Sequence, residues 1–343
     1  MHLDTVTGFR GGIERAAAEA REAEALGFDG MWTVEVGHDP FLALGLAAAA
    51  TQRIGLGTNV AIAFGRSPLA TAQVAWDLQR LSGGRLMLGL GTQVRAHVER
   101  RYSMPFDHPA ARVTDYIHCL RAIWRTFQED VRPDHRGPFY QFTLMNPFFN
   151  PGPIEHPDIP VYLAGVNPRM CRAVGEAADG FSIHPMHSVG YLREVALPAI
   201  ADGARAAGRE AAAVALLAPV FVITGDDQAE WDRCEQMTRR QIAFYASTPS
   251  YRAVLEHHGH GALGPELSAL ARNGDWTGMA RRVPESLVAE IALAAAPADL
   301  AAALRARYAG LSARVSVYDP PLPWPQARWR SLLADWNSPT RAP

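Results

Sequence analysis

The chain has 343 residues, with 33 basic against 35 acidic side chains, a net charge of −2 with His neutral, and 48% hydrophobic residues. So even a balance excludes an electrostatic grip on nucleic acid or a polybasic membrane anchor, and it makes a small molecule the expected partner. Every basic residue is Arg, since Lys does not occur, which excludes a lysine Schiff base and a lysine-dependent phosphate loop.

At this length a folded chain buries roughly 75% of its unfolded surface, so a core forms without metal or disulfide staples. Cys119, Cys171 and Cys234 are odd in number and far apart. They are expected as reduced core thiols. The start, Met-His-Leu-Asp-Thr-Val, lacks the basic and apolar regions of a secretion signal, and the longest apolar run, Phe41 to Ala50, is too short to span a bilayer. The expectation is a soluble cytoplasmic protein.

In chain order, short β-rich runs alternate with longer helical ones. A strand over His2 to Val6 precedes a helix over Gly12 to Leu26; a strand over Gly30 to Val34 precedes a helix over Phe41 to Thr51. The strand Ile54 to Ala61 leads to the helix Pro68 to Leu81, and Leu86 to Gly91 leads to Ala111 to Phe127. Then follow Val161 to Ala164 with Pro168 to Ala177, Gly180 to Ile183 with Val189 to Ala207, Ala215 to Ile223 with Gln228 to Tyr245, and a helix Pro297 to Tyr308 before the strand Arg314 to Tyr318. Eight strand-helix units predict a single α/β domain over residues 1–343, a closed (β/α)8 TIM barrel. Residues 128–160, rich in Pro and aromatics from Arg132 on, and 248–290 exceed a minimal barrel and read as insertions. Phe41 to Ala50 is apolar on every face, as a helix buried on all sides would be. A second subunit is the expected cover, giving a homodimer.

Punctuation fixes the ends. Ser82-Gly83-Gly84-Arg85 and Ala178-Asp179-Gly180 are turns that end a helix just before a strand. Asn167 then Pro168 supply a capping side chain and a pre-set φ, pointing free helix N–H groups toward the carboxyl end of the preceding strand. The two Gly-x-Gly segments, Gly55-Leu56-Gly57 and Gly89-Leu90-Gly91, are followed by Val60 and Val94 where the dinucleotide fingerprint needs Gly, so they read as close strand contacts. His257, His258 and His260 sit in a Gly-rich stretch without a Cys companion and are expected as a solvated loop; no metal site is expected. Neither a Gly-x-Ser-x-Gly elbow nor a His-Glu-x-x-His helix occurs.

A barrel enzyme draws its chemistry from strand carboxyl ends. Here those positions hold Glu35, His38, Asn59, Thr92, Gln93, His97, Gly165, Val166, Asn167, His184 and His187. Acids and imidazoles gathered on one rim suit proton transfer.

Several segments, in order, then carry a family likeness: Gly27-Phe28-Asp29 with Trp32, Ile54-Gly55-Leu56-Gly57-Thr58, Arg66-Ser67-Pro68, Leu81-Ser82-Gly83-Gly84-Arg85, Leu88-Gly89-Leu90-Gly91, Pro160-Val161-Tyr162-Leu163-Ala164-Gly165 and Ala178-Asp179-Gly180-Phe181. Together they resemble the bacterial-luciferase-like flavin and deazaflavin oxidoreductases, most closely the branch that uses coenzyme F420. The resemblance covers nearly the whole chain. It implies a cofactor ring across the C-terminal mouth of the barrel, backed by a bulge at Asn59-Val60 with a non-proline cis peptide, and a phosphate end near Gly165-Val166-Asn167 and His184. Cofactor contacts are thereby expected at Glu35, Asn59, Val60, Thr92, Gln93, Gly165, Val166, Asn167 and His184.

Members acting on sugar phosphates and alcohols carry Asp-His after strand two and Glu after the strand-four Gly-Thr. Glu35-Val36 and Gln93-Val94 stand there instead, so those substrates are not carried over, and Glu35, His38 and His97 become the candidate catalytic groups. The expected activity is hydride transfer between reduced F420 and a small enone, imine or carbonyl. An FMN-dependent monooxygenase on the same fold and a non-catalytic cofactor-binding protein are the alternatives.

Overall fold

The computed structural model describes residues 1–8, 12–318 and 324–338. Its strands are β1 (His2–Thr7), β2 (Gly30–Thr33), β3 (Gly55–Thr58), β4 (Ala61–Ile62), β5 (Leu86–Gly91), β6 (His135–Arg136), β7 (Gln141–Phe142), β8 (Val161–Gly165), β9 (Gly180–Ile183), β10 (Ala215–Val220), β11 (Val222–Ile223), β12 (Leu293–Ala294) and β13 (Arg314–Val317). The parallel order β3-β2-β1-β13-β10-β9-β8-β5-β4, with β3 also pairing β5, closes the sheet on itself. Taking β3 and β4 as one interrupted strand, this is the expected eight-stranded barrel.

Strands buried on both faces read as continuous apolar runs, which is why β5 (Leu-Met-Leu-Gly-Leu-Gly) is buried throughout. Gly89 faces a very close backbone approach: a Cβ there would lie 1.8 Å from the Thr58 carbonyl oxygen. Within β1, Asp4 is 1% exposed. It takes the Trp32 indole N–H at 2.7 Å and two bonds from Arg314.

Two expected strands are broken. Ile54 to Ala61 is interrupted at Asn59-Val60, whose peptide bond is cis as the family resemblance implied. Ala215 to Ile223 breaks at Phe221, after which β11 leaves the barrel to pair with β12. The helix expected over Val189 to Ala207 starts with a short turn, widens to a π-helical stretch over Leu192–Ala196 and regains α geometry at Leu197–Ala206. Pro198, which lacks an N–H, lies at that junction.

The first insertion holds the β6-β7 hairpin. The second folds as four short helices, Arg252–His257, Leu263–Arg272, Trp276–Arg282 and Glu285–Ile291, around their own apolar cluster with Ile242, Leu255, Leu267 and Leu287. The histidine stretch is therefore not a solvated loop: His258 Nε2 lies 2.7 Å from the buried Ser188 hydroxyl. The three cysteines are free and buried. Burial pushes the Cys119 and Cys171 thiols up to about 12, so neither forms a thiolate readily. Among the described residues no helix is long and apolar enough to cross a membrane.

The helix Pro40–Ala50 is covered partly by its own chain. Phe41, Ala43, Leu44, Ala47 and Ala48 are buried, while Leu42 is 61% exposed and Leu46 39%.

Candidate functional site at the barrel mouth

Because the strands are parallel, the expected site residues lie at strand carboxyl ends and, apart from the buried His187, share one rim. Glu35 follows β2, Asn59 and Val60 separate β3 from β4, and Thr92 and Gln93 follow β5; on the far side Gly165 ends β8 before Val166 and Asn167, and His184 follows β9.

The floor of the mouth is the bulge. Asn59 N–H donates to the Thr33 carbonyl at 2.7 Å, and the Ser182 hydroxyl donates to Asn59 Oδ1. The bulge thus joins β2 on one side and β9 across the barrel. Val60 projects toward β5, where a Cβ on Gly91 would come within 2.5 Å of its Cγ2. Gly91 leaves the room that Val60 fills.

One half of the rim is charged. Glu35 accepts from the Ile62 backbone N–H (2.7 Å), from Arg66 Nη1 (2.9 and 2.7 Å) and from the Tyr102 hydroxyl (3.1 Å). Arg66 also reaches Asp39 at 2.7 Å and lies 5.3 Å over the Phe41 ring. Burial lowers the Arg66 pKa, but the hydrogen bonds to Glu35 and Asp39 outweigh it and the net shift is upward. Burial, with the Glu35 charge second, raises the Tyr102 phenol. His38 and His97 are both exposed on the same side. Gln93 adopts φ 60° and its side-chain oxygen accepts from Val94 N–H at 3.1 Å.

The other half is aromatic and neutral. The His184 ring lies 4.5 Å from Tyr245 and 4.4 Å from Tyr251. Its Nδ1 accepts from Met186 N–H at 3.1 Å. Burial, then the neighbouring His187, pushes the imidazole down to about 3. His187 is no rim group at all: it is 3% exposed, 2.8 Å from the His184 carbonyl through Nδ1 and 2.8 Å from the Tyr308 hydroxyl through Nε2.

Between the halves the helix Pro168–Ala177 begins as the sequence indicated, with Asn167 Oδ1 accepting from Met170 N–H at 3.0 Å. A second helix, Pro109–Glu129, starts nearby after His108. Both starts line one cavity of about 650 Å³, together with Arg169. Two helix amino ends and a guanidinium around one cavity favour an anion. The residues fit a flat heterocycle on an anionic tail, with the Gly91-Val60 floor for the ring and this cavity for the tail.

Sequence reasoning missed Ser182, Tyr102, Tyr245 and Tyr251, and it quoted Arg66 only as part of a motif. Ser182 carries a readable signal, a hydroxyl inside the apolar strand Gly-Phe-Ser-Ile. The tyrosines carry none, since they arrive from a helix end and an insertion.

A family model described as luciferase-like monooxygenase matches residues 2–314. An uncharacterized protein of Mycobacterium tuberculosis is 46% identical over 303 residues, covering 88% of this chain and 89% of that protein. The 5,10-methylenetetrahydromethanopterin reductase of Archaeoglobus fulgidus is 27% identical over 286 residues, 81% of each chain. Among solved structures, the coenzyme F420 dependent tetrahydromethanopterin reductase from Methanopyrus kandleri superposes with a TM-score of 0.78 at 22% identity, covering 97% of this chain and 96% of that one.

Proposed function

Since the chain belongs to the family of luciferase-like monooxygenases, we propose that it is the F420-dependent kind of oxidoreductase, moving a hydride between reduced deazaflavin and a small organic acceptor such as an enone, imine or carbonyl. The observation that carries this reading is the mouth itself, where Val60 packs against Gly91 to form a floor and Asn167 and Arg169 line an anion-favouring cavity. A protein of Mycobacterium tuberculosis described as a putative coenzyme F420-dependent oxidoreductase, 30% identical over 283 residues that cover 78% of this chain, supports it.

When bound, the cofactor supplies the hydride. The chain's part is to hold the ring against Val60, with Asn59, Thr92 and Gln93 at its edge, and to hold the anionic end at Gly165, Val166 and the N–H groups after Asn167. With Glu35 engaged by four hydrogen bonds, His38 and His97 are the rim imidazoles available to supply a proton, and being exposed they exchange it with water. The half formed by His184, Tyr245 and Tyr251 suits an uncharged acceptor, since these three side chains carry no charge to offset a buried one.

Anaerobic mixing of the protein with reduced F420 and a panel of enones, imines and ketones tests the reading. Acceptor-dependent reoxidation is expected. Turnover only with reduced FMN and oxygen would make the protein a monooxygenase, and binding without turnover a non-catalytic cofactor-binding protein.

A homodimer in the cytoplasm belongs to the same proposal. The exposed Leu42 and Leu46 lie on a helix packed against Pro68–Ser82, whose Leu69 is also exposed, and this is the face expected to take the second copy. Unpaired, buried cysteines suit a reducing compartment.

A further inference from the structure

We propose that Arg66 and Tyr102 are positioning residues of the ring site, acting through Glu35 to fix the backbone on both sides of it; what the ring is rests on the F420 reading, while the clamp itself does not. A carboxylate offers about four lone-pair sites, and Glu35 fills them with Ile62 N–H, two contacts from Arg66 Nη1 and the Tyr102 hydroxyl. Its side chain is 7% exposed and that of Arg66 19%. A carboxylate so occupied holds its neighbours and has no lone pair left for a substrate.

The neighbours are the two walls of the ring site. Ile62 closes the bulge, and β4 pairs only with β5 among the described strands. The Ile62 N–H turns away from that ladder and finds Glu35 instead. Tyr102 belongs to the segment after β5. Its ring packs on Gly65, where a Cβ would come within 2.8 Å, and the adjacent Arg101 donates to the Val36 carbonyl at 2.7 Å. The clamp thus ties the loops after β2, β4 and β5 together around Asn59-Val60.

The backbone between Gln93 and His108 shows what the clamp restrains. Among the described residues four non-glycine positions have positive φ, and three of them lie here: Gln93 (60°), Ser103 (56°) and His108 (40°). Such angles persist where the surroundings over-determine them. Gln93 borders the ring floor and His108 lines the 650 Å³ cavity, so both ends of the segment border the proposed cofactor site.

Tyr102→Phe, Glu35→Gln and Arg66→Met test this, with folding checked by circular dichroism. In the cofactor-free protein, amide exchange at Ile62 is expected to quicken at least tenfold in the Arg66 and Glu35 variants, and across residues 93–108 in all three. F420 affinity by fluorescence titration is expected to weaken at least fivefold, and in Tyr102→Phe turnover at saturating cofactor is expected to stay within twofold of wild type. Combining Tyr102→Phe with Glu35→Gln is expected to add little to the worse single change, as for members of one network. Wild-type exchange and wild-type affinity in Tyr102→Phe, which loses one hydroxyl and no charge, would overturn the proposal. If the unaltered protein binds neither F420 nor FMN, the functional reading fails while the exchange measurement still decides the clamp.

Discussion

At the scale of single residues, His184 and His187 set an acid limit on the fold. Both titrate near 6.5 in an unfolded chain, yet in the folded one burial first, with the neighbouring His187 acting on His184, holds them neutral down to about 3 and about 4. Between pH 6.5 and 4 the unfolded chain therefore binds more protons, so stability falls as pH falls through that window, by on the order of 2 kcal/mol per group at pH 5. Urea midpoints at pH 7.5 and pH 5 measure this, and equal midpoints would show that the imidazoles titrate normally. A second expectation concerns His38 and His97: if either supplies the proton, its Ala variant loses at least about tenfold in turnover, the low end for a placed acid. Residue identities at the rim were legible because parallel strands put their carboxyl ends together. The partners were not: Glu35 and Arg66 stand 31 positions apart, and no local pattern says that they meet.

At the scale of elements, the helices Pro168–Ala177 and Leu197–Ala206 cross backbone to backbone. A Cβ on Gly175 would lie 2.0 Å from the Ile200 carbonyl oxygen, and one on Gly203 would lie 2.0 Å from that of Arg172. Overpacking of this kind costs about 1–3 kcal/mol and sometimes more. Gly175→Val is expected to sit at the top of that range in chemical denaturation and to weaken cofactor binding, because the displaced helix carries the Asn167 cap. A variant with unchanged midpoint and affinity would contradict the close crossing. Long apolar-periodic helices and strands with β-rich composition were readable. Two helices were not. Arg95–Arg101 buries only Val98, so it shows no apolar face, and Gln326–Asn337 follows a proline-rich stretch that obscures its start. The break in β3–β4 was reached through family likeness, since composition alone describes an uninterrupted strand.

At the scale of the whole molecule, the all-apolar helix Pro40–Ala50 resolves into two faces. Ala47 is fully buried within its own chain, so charge placed there tests folding, whereas Leu42 at 61% exposure tests association. Light scattering is expected to give a dimer for the unaltered protein and a monomer for Leu42→Arg; a monomeric unaltered protein would refute the subunit contact. The barrel and its mouth were legible as a whole because eight alternating units leave few ways to close a parallel sheet. The second insertion was legible as short helical pieces but its packing was not, since those helices bury their apolar faces against one another, the helix Gln228–Ala246 and distant residues such as Met186, Tyr191 and Phe221. What the fold is built to hold is decided most directly by anaerobic titration calorimetry with F420 and FMN on the same preparation. The account predicts tighter binding of F420, and tighter binding of FMN, or binding of neither, would contradict it.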